Sequence, residues 1–140
     1  MNVDELLTRA DLVVLSEVIS VDQDMETTRA QVQIFSVLKG LERPGNLVTI
    51  ESPGGRVFID ENQPSWSVRE TDLLFLQKSP SGNTYTCVNQ ADGQKIVRGR
   101  HIYPFHDNIT YGVPLKDYIK DLEETVKNEG LSDQAKKPSA

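Results

Sequence analysis

Four apolar-rich runs with the alternation of β-strands, followed by one amphipathic helical stretch, constrain this chain more than any other feature. Residues 12–21 (LVVLSEVISV) are rich in β-branched types, and residues 27–38 alternate cleanly at their centre. There Ala30, Val32 and Ile34 share one face, and Gln31 and Gln33 the other. Phe35 and Val37 break that alternation, which predicts an end covered on both faces. Leu47–Glu51 is a shorter run, and Asp72–Lys78 is an apolar core between polar ends. Strands of this length bounded by Gly, Pro and Asn predict a closed or nearly closed barrel. The expected fold is all-β, a small barrel with a short N-terminal helix and a C-terminal amphipathic helix.

The connections agree with this pattern. Asn2 is suited to cap a short helix over residues 2–9, with Glu5 as its capping-box partner and Leu6 and Leu7 as its packing face. Asp22–Glu26 reads as a turn, and residues 39–46 form a loop rich in helix and strand breakers. Pro53-Gly54-Gly55 ends the third strand, and Val57–Ile59 has the composition of a short edge strand. Residues 79–83 predict a hairpin that joins Leu73–Lys78 to Thr84–Val88. Asp92-Gly93 marks another turn, and Arg98-Gly99 is placed to turn a small hairpin. Pro114 is suited to the first position of the final helix, whose stripe is Leu115, Tyr118, Ile119, Leu122 and Val126, with Gly130 as its stop. The domain therefore spans residues 1–128, and the polar residues 129–140 read as a disordered tail.

At 140 residues the chain supports one domain, which buries roughly two-thirds of its unfolded surface. Its net charge of −6, without a basic block, argues against a nucleic-acid partner. No apolar run is long enough to span a membrane. The single cysteine, Cys87, excludes an intrachain disulfide, and its strand-like setting reads as a small buried apolar residue.

Chemistry-bearing patterns are sparse. His101 and His106, with Asp107, do not share a face of a helix or strand, and zinc needs three or four converging ligands, so no metal is expected. No nucleophile motif occurs, and Gly54-Gly55 lacks the G-K-[ST] continuation of a phosphate loop. Asp60-Glu61 and Glu123-Glu124 read as solvated charge. Asn108-Ile109-Thr110 is a glycosylation triplet of a kind that chance often produces. Neither a cofactor nor an enzymatic activity is expected. The best candidate surface is Ser52–Trp66, with Gly54, Gly55, Arg56, Phe58 and Trp66 as binding residues, because Trp and Arg are enriched where partners dock. The competing reading makes Trp66 a lid on the core and the two glycines a turn.

Several pieces resemble a known group: Ala10–Val14 opening a strand that closes at Glu17–Val21, the Val37-Leu38-Lys39-Gly40 end of the second strand, Val48–Ile50 leading into Pro53-Gly54-Gly55, Asp72–Leu76, and Pro114–Ile119. In order and spacing they resemble a widespread group of bacterial exported domains of unassigned function. That group is predicted to have an OB-like barrel similar to the netrin-like fold of tissue inhibitors of metalloproteinases, so the resemblance implies an all-β, five- to six-stranded OB-like Greek-key barrel. The resemblance covers roughly residues 5–126. It implies an exported protein whose leader is absent from these residues, and it carries no catalytic residues. Those inhibitors use an N-terminal cysteine to chelate the protease metal, whereas Cys87 lies in mid-strand. The expectation is a non-enzymatic module that recognises a protein or glycan outside the cytoplasm. The alternatives are a barrel that binds single-stranded nucleic acid and a purely structural domain.

Overall fold

The structure, a computed structural model, describes residues 2–55, 63–103 and 112–130. The chain runs α1 (Val3–Arg9), β1 (Leu12–Gln23), β2 (Thr27–Lys39), β3 (Leu47–Pro53), β4 (Thr71–Lys78), β5 (Tyr85–Cys87), a 3₁₀ turn (Gln90–Gly93), β6 (Gln94–Arg98), β7 (His101–Tyr103), β8 (Val113–Pro114) and α2 (Leu115–Asn128). Five strands close a barrel in the order β1-β2-β3-β5-β4, with β4 returning to pair β1. The barrel is therefore all-β, with a short helix at the N-terminal end and an amphipathic helix at the C-terminal end. The expected edge strand at 57–59 lies outside the described residues, as does the expected 129–140 tail apart from Glu129, which caps α2, and Gly130.

Closure explains why β1 and β4 are apolar on both faces. Leu12, Val14, Val18, Leu74 and Leu76 point into the barrel, where they meet Val32, Ile34, Val48, Ile50 and Tyr85. The opposite parity, Val13, Leu73 and Phe75, faces a second core beneath the helices, built with Leu6, Leu7, Leu122 and Val126. A strand buried on both sides reads as a continuous hydrophobic run rather than an alternating one. Asn2 caps α1 as expected: its side chain accepts from the Glu5 N–H at 2.8 Å, and Glu5 returns the bond to the Asn2 N–H. Lys39 is buried, and its Nζ donates to the Leu7 carbonyl at 2.8 Å, which satisfies a free oxygen at the end of that helix.

Three register shifts let the long β1–β2 ribbon coil into the barrel wall. They leave Leu38 and Phe35 as extra residues on β2, and Ile19 as the extra residue on β1. This corrects the expectation that Phe35 lies under a covered end. The bulge pushes it outward, and it is 46% exposed. Double coverage is confined to Leu38 and Lys39, which are consecutive and both buried.

On its other edge β4 has two partners in line. β5 pairs with its C-terminal half and β6 with its N-terminal half. The 3₁₀ turn between them packs so closely that a Cβ on Gly93 would lie 2.6 Å from the Val88 carbonyl oxygen. β6, β7 and β8 then extend from the barrel toward α2, whose first helical residue is Leu115, one later than the sequence suggests. Among the described residues, no helix is long and apolar enough to cross a membrane.

Candidate functional site

Two adjoining surfaces hold the residues of interest: the outer face of β2–β3, and the barrel mouth beside it. On the outer face, alternation turns Arg29, Gln31 and Gln33 outward while Ala30, Val32 and Ile34 fill the barrel. Their cross-strand partners on β3 are Glu51, Thr49 and Leu47. On the other side Asp22, Ser20 and Glu17 of β1 extend the same rows. The face is thus a ladder of amides and hydroxyls, with exposed Phe35 and Leu47 (53% exposed) at one end.

At the opposite end of this ladder Arg29 is already engaged. Its Nε donates to Glu51 Oε2 at 2.8 Å, and its Nη1 donates to Asp24 Oδ2 at 3.3 Å. The Asp24 carboxyl is held below its ordinary range, chiefly by the Thr27 and Glu26 backbone N–H groups in the β1–β2 turn and then by Arg29. Thr84, from the β4–β5 loop, donates to the other Glu51 oxygen at 3.2 Å. The one cation that β2 and β3 turn outward is therefore balanced by two carboxylates.

Residues 54–55 and 63–70 lie at the barrel mouth. Gly54 adopts a φ of +96°, donates to the Glu26 carbonyl at 2.8 Å, and accepts from the Thr28 hydroxyl at 2.6 Å. Gly55 lies directly on the β1–β2 turn, where a Cβ would come within 2.3 Å of the Asp24 carbonyl oxygen. Both glycines thus dock the segment onto the turn. Trp66 is half-buried against the barrel interior, and its indole N–H donates to Ser52 Oγ at 3.4 Å. That is the lid arrangement among the two sequence readings. Arg56 and Phe58 lie outside the described residues, so of the expected binding set the structure brings together Gly54, Gly55 and Trp66 at this end of the barrel.

Beneath the lid is a polar cluster that the sequence reading missed. Asp72 shares its parity with Leu74 and Leu76 and therefore points into the barrel, fully buried. Ser16, directly across on β1, donates to the Asp72 backbone carbonyl at 3.4 Å. Gln94 of β6 donates to Asp72 Oδ2 at 3.4 Å and also clips the 63–70 segment: its amide donates to the Ser65 carbonyl at 2.7 Å and accepts from the Ser65 N–H at 3.1 Å. Asp72 Oδ1 and Glu70 Oε2 are buried without a hydrogen-bond partner among the described residues. Burial, reinforced by the neighbouring Glu70 carboxyl, pushes the Asp72 carboxyl up to about 9, so it is protonated at neutral pH. The sequence carried only a partial signal, because Asp72 is in phase with Leu74 and Leu76 but so is Lys78, which is exposed.

The remaining candidates stay apart. Cys87 lies in β5, with its thiol turned inward and pushed up by burial, an unreactive setting. His101 is exposed on β7, and His106, Asp107 and the 108–110 triplet lie outside the described residues. Glu123 and Glu124 are exposed on α2. Among the described residues, no three His, Cys, Asp or Glu side chains converge as a metal site. Compared with protein-family models and with curated proteins, the chain finds no match in either.

Proposed function

We propose that this barrel is a non-enzymatic binding module that recognises a protein or glycan outside the cytoplasm through its β2–β3 face, flanked by residues 52–66. The observation that carries the reading is the composition of that face. Gln31, Gln33 and Thr49 offer paired donors and acceptors on a rigid sheet, next to the exposed apolar Phe35 and Leu47. Such a surface suits hydroxyl-rich or peptide ligands, which combine hydrogen-bonding edges with C–H surfaces. The strand order suits a five-stranded Greek-key barrel of OB type, whose ligands commonly lie on the β2–β3 face. The extracytoplasmic setting rests on the resemblance to the exported netrin-like group.

A single-stranded nucleic-acid ligand fits less well. Such sites need a positive groove with stacking aromatics. Here Arg29 is neutralised by Asp24 and Glu51, and Phe35 is the one aromatic that β2 and β3 present on this face.

The test is affinity capture from envelope and secreted fractions, alongside a glycan array. The wild-type chain is compared with a Gln31→Ala, Gln33→Ala, Phe35→Ala face variant and an Arg56→Ala, Trp66→Ala flank variant. A ligand retained by wild type and lost by the face variant supports the assignment. A ligand held equally by all three proteins places recognition elsewhere, and salt-sensitive retention of an oligonucleotide would favour the nucleic-acid alternative.

A further inference from the structure

We propose that residues 63–70 are a proton-operated latch over the barrel mouth, closed while Asp72 is protonated and opened when Asp72 ionises. The inference concerns the fold itself and does not depend on the binding reading.

The latch has three parts. Its clip is Gln94, which holds Ser65 through both its amide oxygen and its amide nitrogen. Its hinge is Arg69, a non-glycine residue at φ +75°, held there by its N–H bond to the Val18 carbonyl at 2.7 Å and by the neighbouring Val18 N–H bond to Glu70 at 2.9 Å. A side chain seldom adopts that backbone conformation unless the surroundings enforce it, so release at this point relieves strain. Its trigger is the carboxyl pair. Glu70 lies two residues before Asp72 on the same parity, and among the described residues the buried, unpartnered side-chain oxygens belong to these two side chains.

Asp72 cannot leave. It sits on β4 between β1 and β6, with its backbone in both ladders. The Glu70 side chain can turn outward, because it precedes the strand and is only half-buried, but its carbonyl accepts from the Val18 N–H and its N–H donates to the Ser67 carbonyl, so opening must break these bonds. A protonated Asp72 can donate to Glu70 and draw the segment inward. An ionised Asp72 loses the proton it could donate and sets its charge beside the Glu70 carboxyl in a site of low dielectric, so the two carboxyls separate by the route available, outward through Glu70. Among the other groups that face Asp72, Gln94 offsets this charge only in part, through its hydrogen bond to Oδ2. Ser16 from β1 and Gln94 from β6 are neutral, and the Cys87 thiol from β5 is itself disfavoured from ionising by burial and by Asp72. Glu17 and Lys95 lie on the opposite parity of β1 and β6. No cation acts on the Asp72 carboxyl among the described residues.

Trp66 rides on the latch and is the single tryptophan, so its fluorescence reports the opening directly. From neutral pH to about pH 9.5, the wild-type protein should show red-shifted emission and roughly twofold greater acrylamide quenching, reversibly and with unchanged far-UV circular dichroism. Asp72→Asn and Glu70→Gln should each hold the closed signal throughout, because an amide can then bridge the two positions without a proton. The two variants are independent, so if one fails to fold the other still decides. A flat wild-type profile, or an equal rise in a folded variant, overturns the proposal. Suppression of the wild-type change by millimolar calcium, reversed by chelator, also overturns it, since the pair would then be a cation site.

Discussion

Replacing Asp72 with Asn should stabilise this protein at neutral and alkaline pH, although the residue is buried and hydrogen-bonded. The unfolded chain ionises this carboxyl near 3.8, whereas the folded protein holds the proton to about 9. Between those values the folded state binds the extra proton, so stability falls as pH rises. The penalty is absent below the unfolded value, grows through the window, and is complete above the folded value. The limiting slope is about 1.4 kcal/mol per pH unit. About three units separate the unfolded value from neutrality, so the upper bound on the penalty at pH 7 is about 4 kcal/mol. Asparagine removes it while keeping an acceptor for Gln94 and gaining a donor toward Glu70. Urea unfolding of both proteins at several pH values between about 5 and 9 checks this, because titrating groups that do not interact with Asp72 cancel in the difference. The difference in unfolding free energy should widen with pH in favour of Asp72→Asn. A difference that stays flat, or an Asn variant less stable at every pH, would refute the burial argument.

Three further outcomes follow from the packing. Phe75→Ala removes the largest fully buried side chain of the core beneath the helices and should cost about 3–5 kcal/mol in chemical denaturation. Gly55→Ala forces a Cβ onto the Asp24 carbonyl and should cost about 1–3 kcal/mol, with amide shifts at Asp24 and Met25 in NMR spectra marking the displaced turn. Cys87 should react with a thiol reagent only as fast as the protein opens, since burial disfavours its thiolate; rapid labelling of the folded protein would contradict its placement.

Local features were legible in the sequence because their causes are local. The Asn2–Glu5 capping box, the Gly54-Gly55 strand end and the helical stripe ending at Leu122 and Val126 each depend on neighbouring residues alone. The strands were legible because burial imprints period two, which Ala30, Val32 and Ile34 display. Closure was not. The β1–β4 pairing and the single parallel bridge of Ile50 to Tyr85 join segments distant in the chain and leave no periodic mark. The bulges were hidden for a related reason. Phe35 breaks the alternation whether it is doubly covered or pushed out, and only the register with Leu15 and Ser16 tells the two apart. Asp72 reads as the polar end of a strand until both faces of β4 are known to be buried. Of the candidate surface, Trp66 was legible as a large side chain in a polar loop, but its lid position depends on Ser52 and on Gln94 holding Ser65.

Barrel closure is the claim on which both the recognition face and the latch rest, and cross-strand NOEs test it most directly. The account predicts contacts joining Leu15 to Leu73 and Val13 to Phe75 across β1–β4, together with the parallel contact of Ile50 with Tyr85. A spectrum that retains the β1–β2 and β2–β3 contacts but lacks those three would describe an open sheet, with no barrel mouth for Trp66 to cover and no interior for Asp72 to occupy.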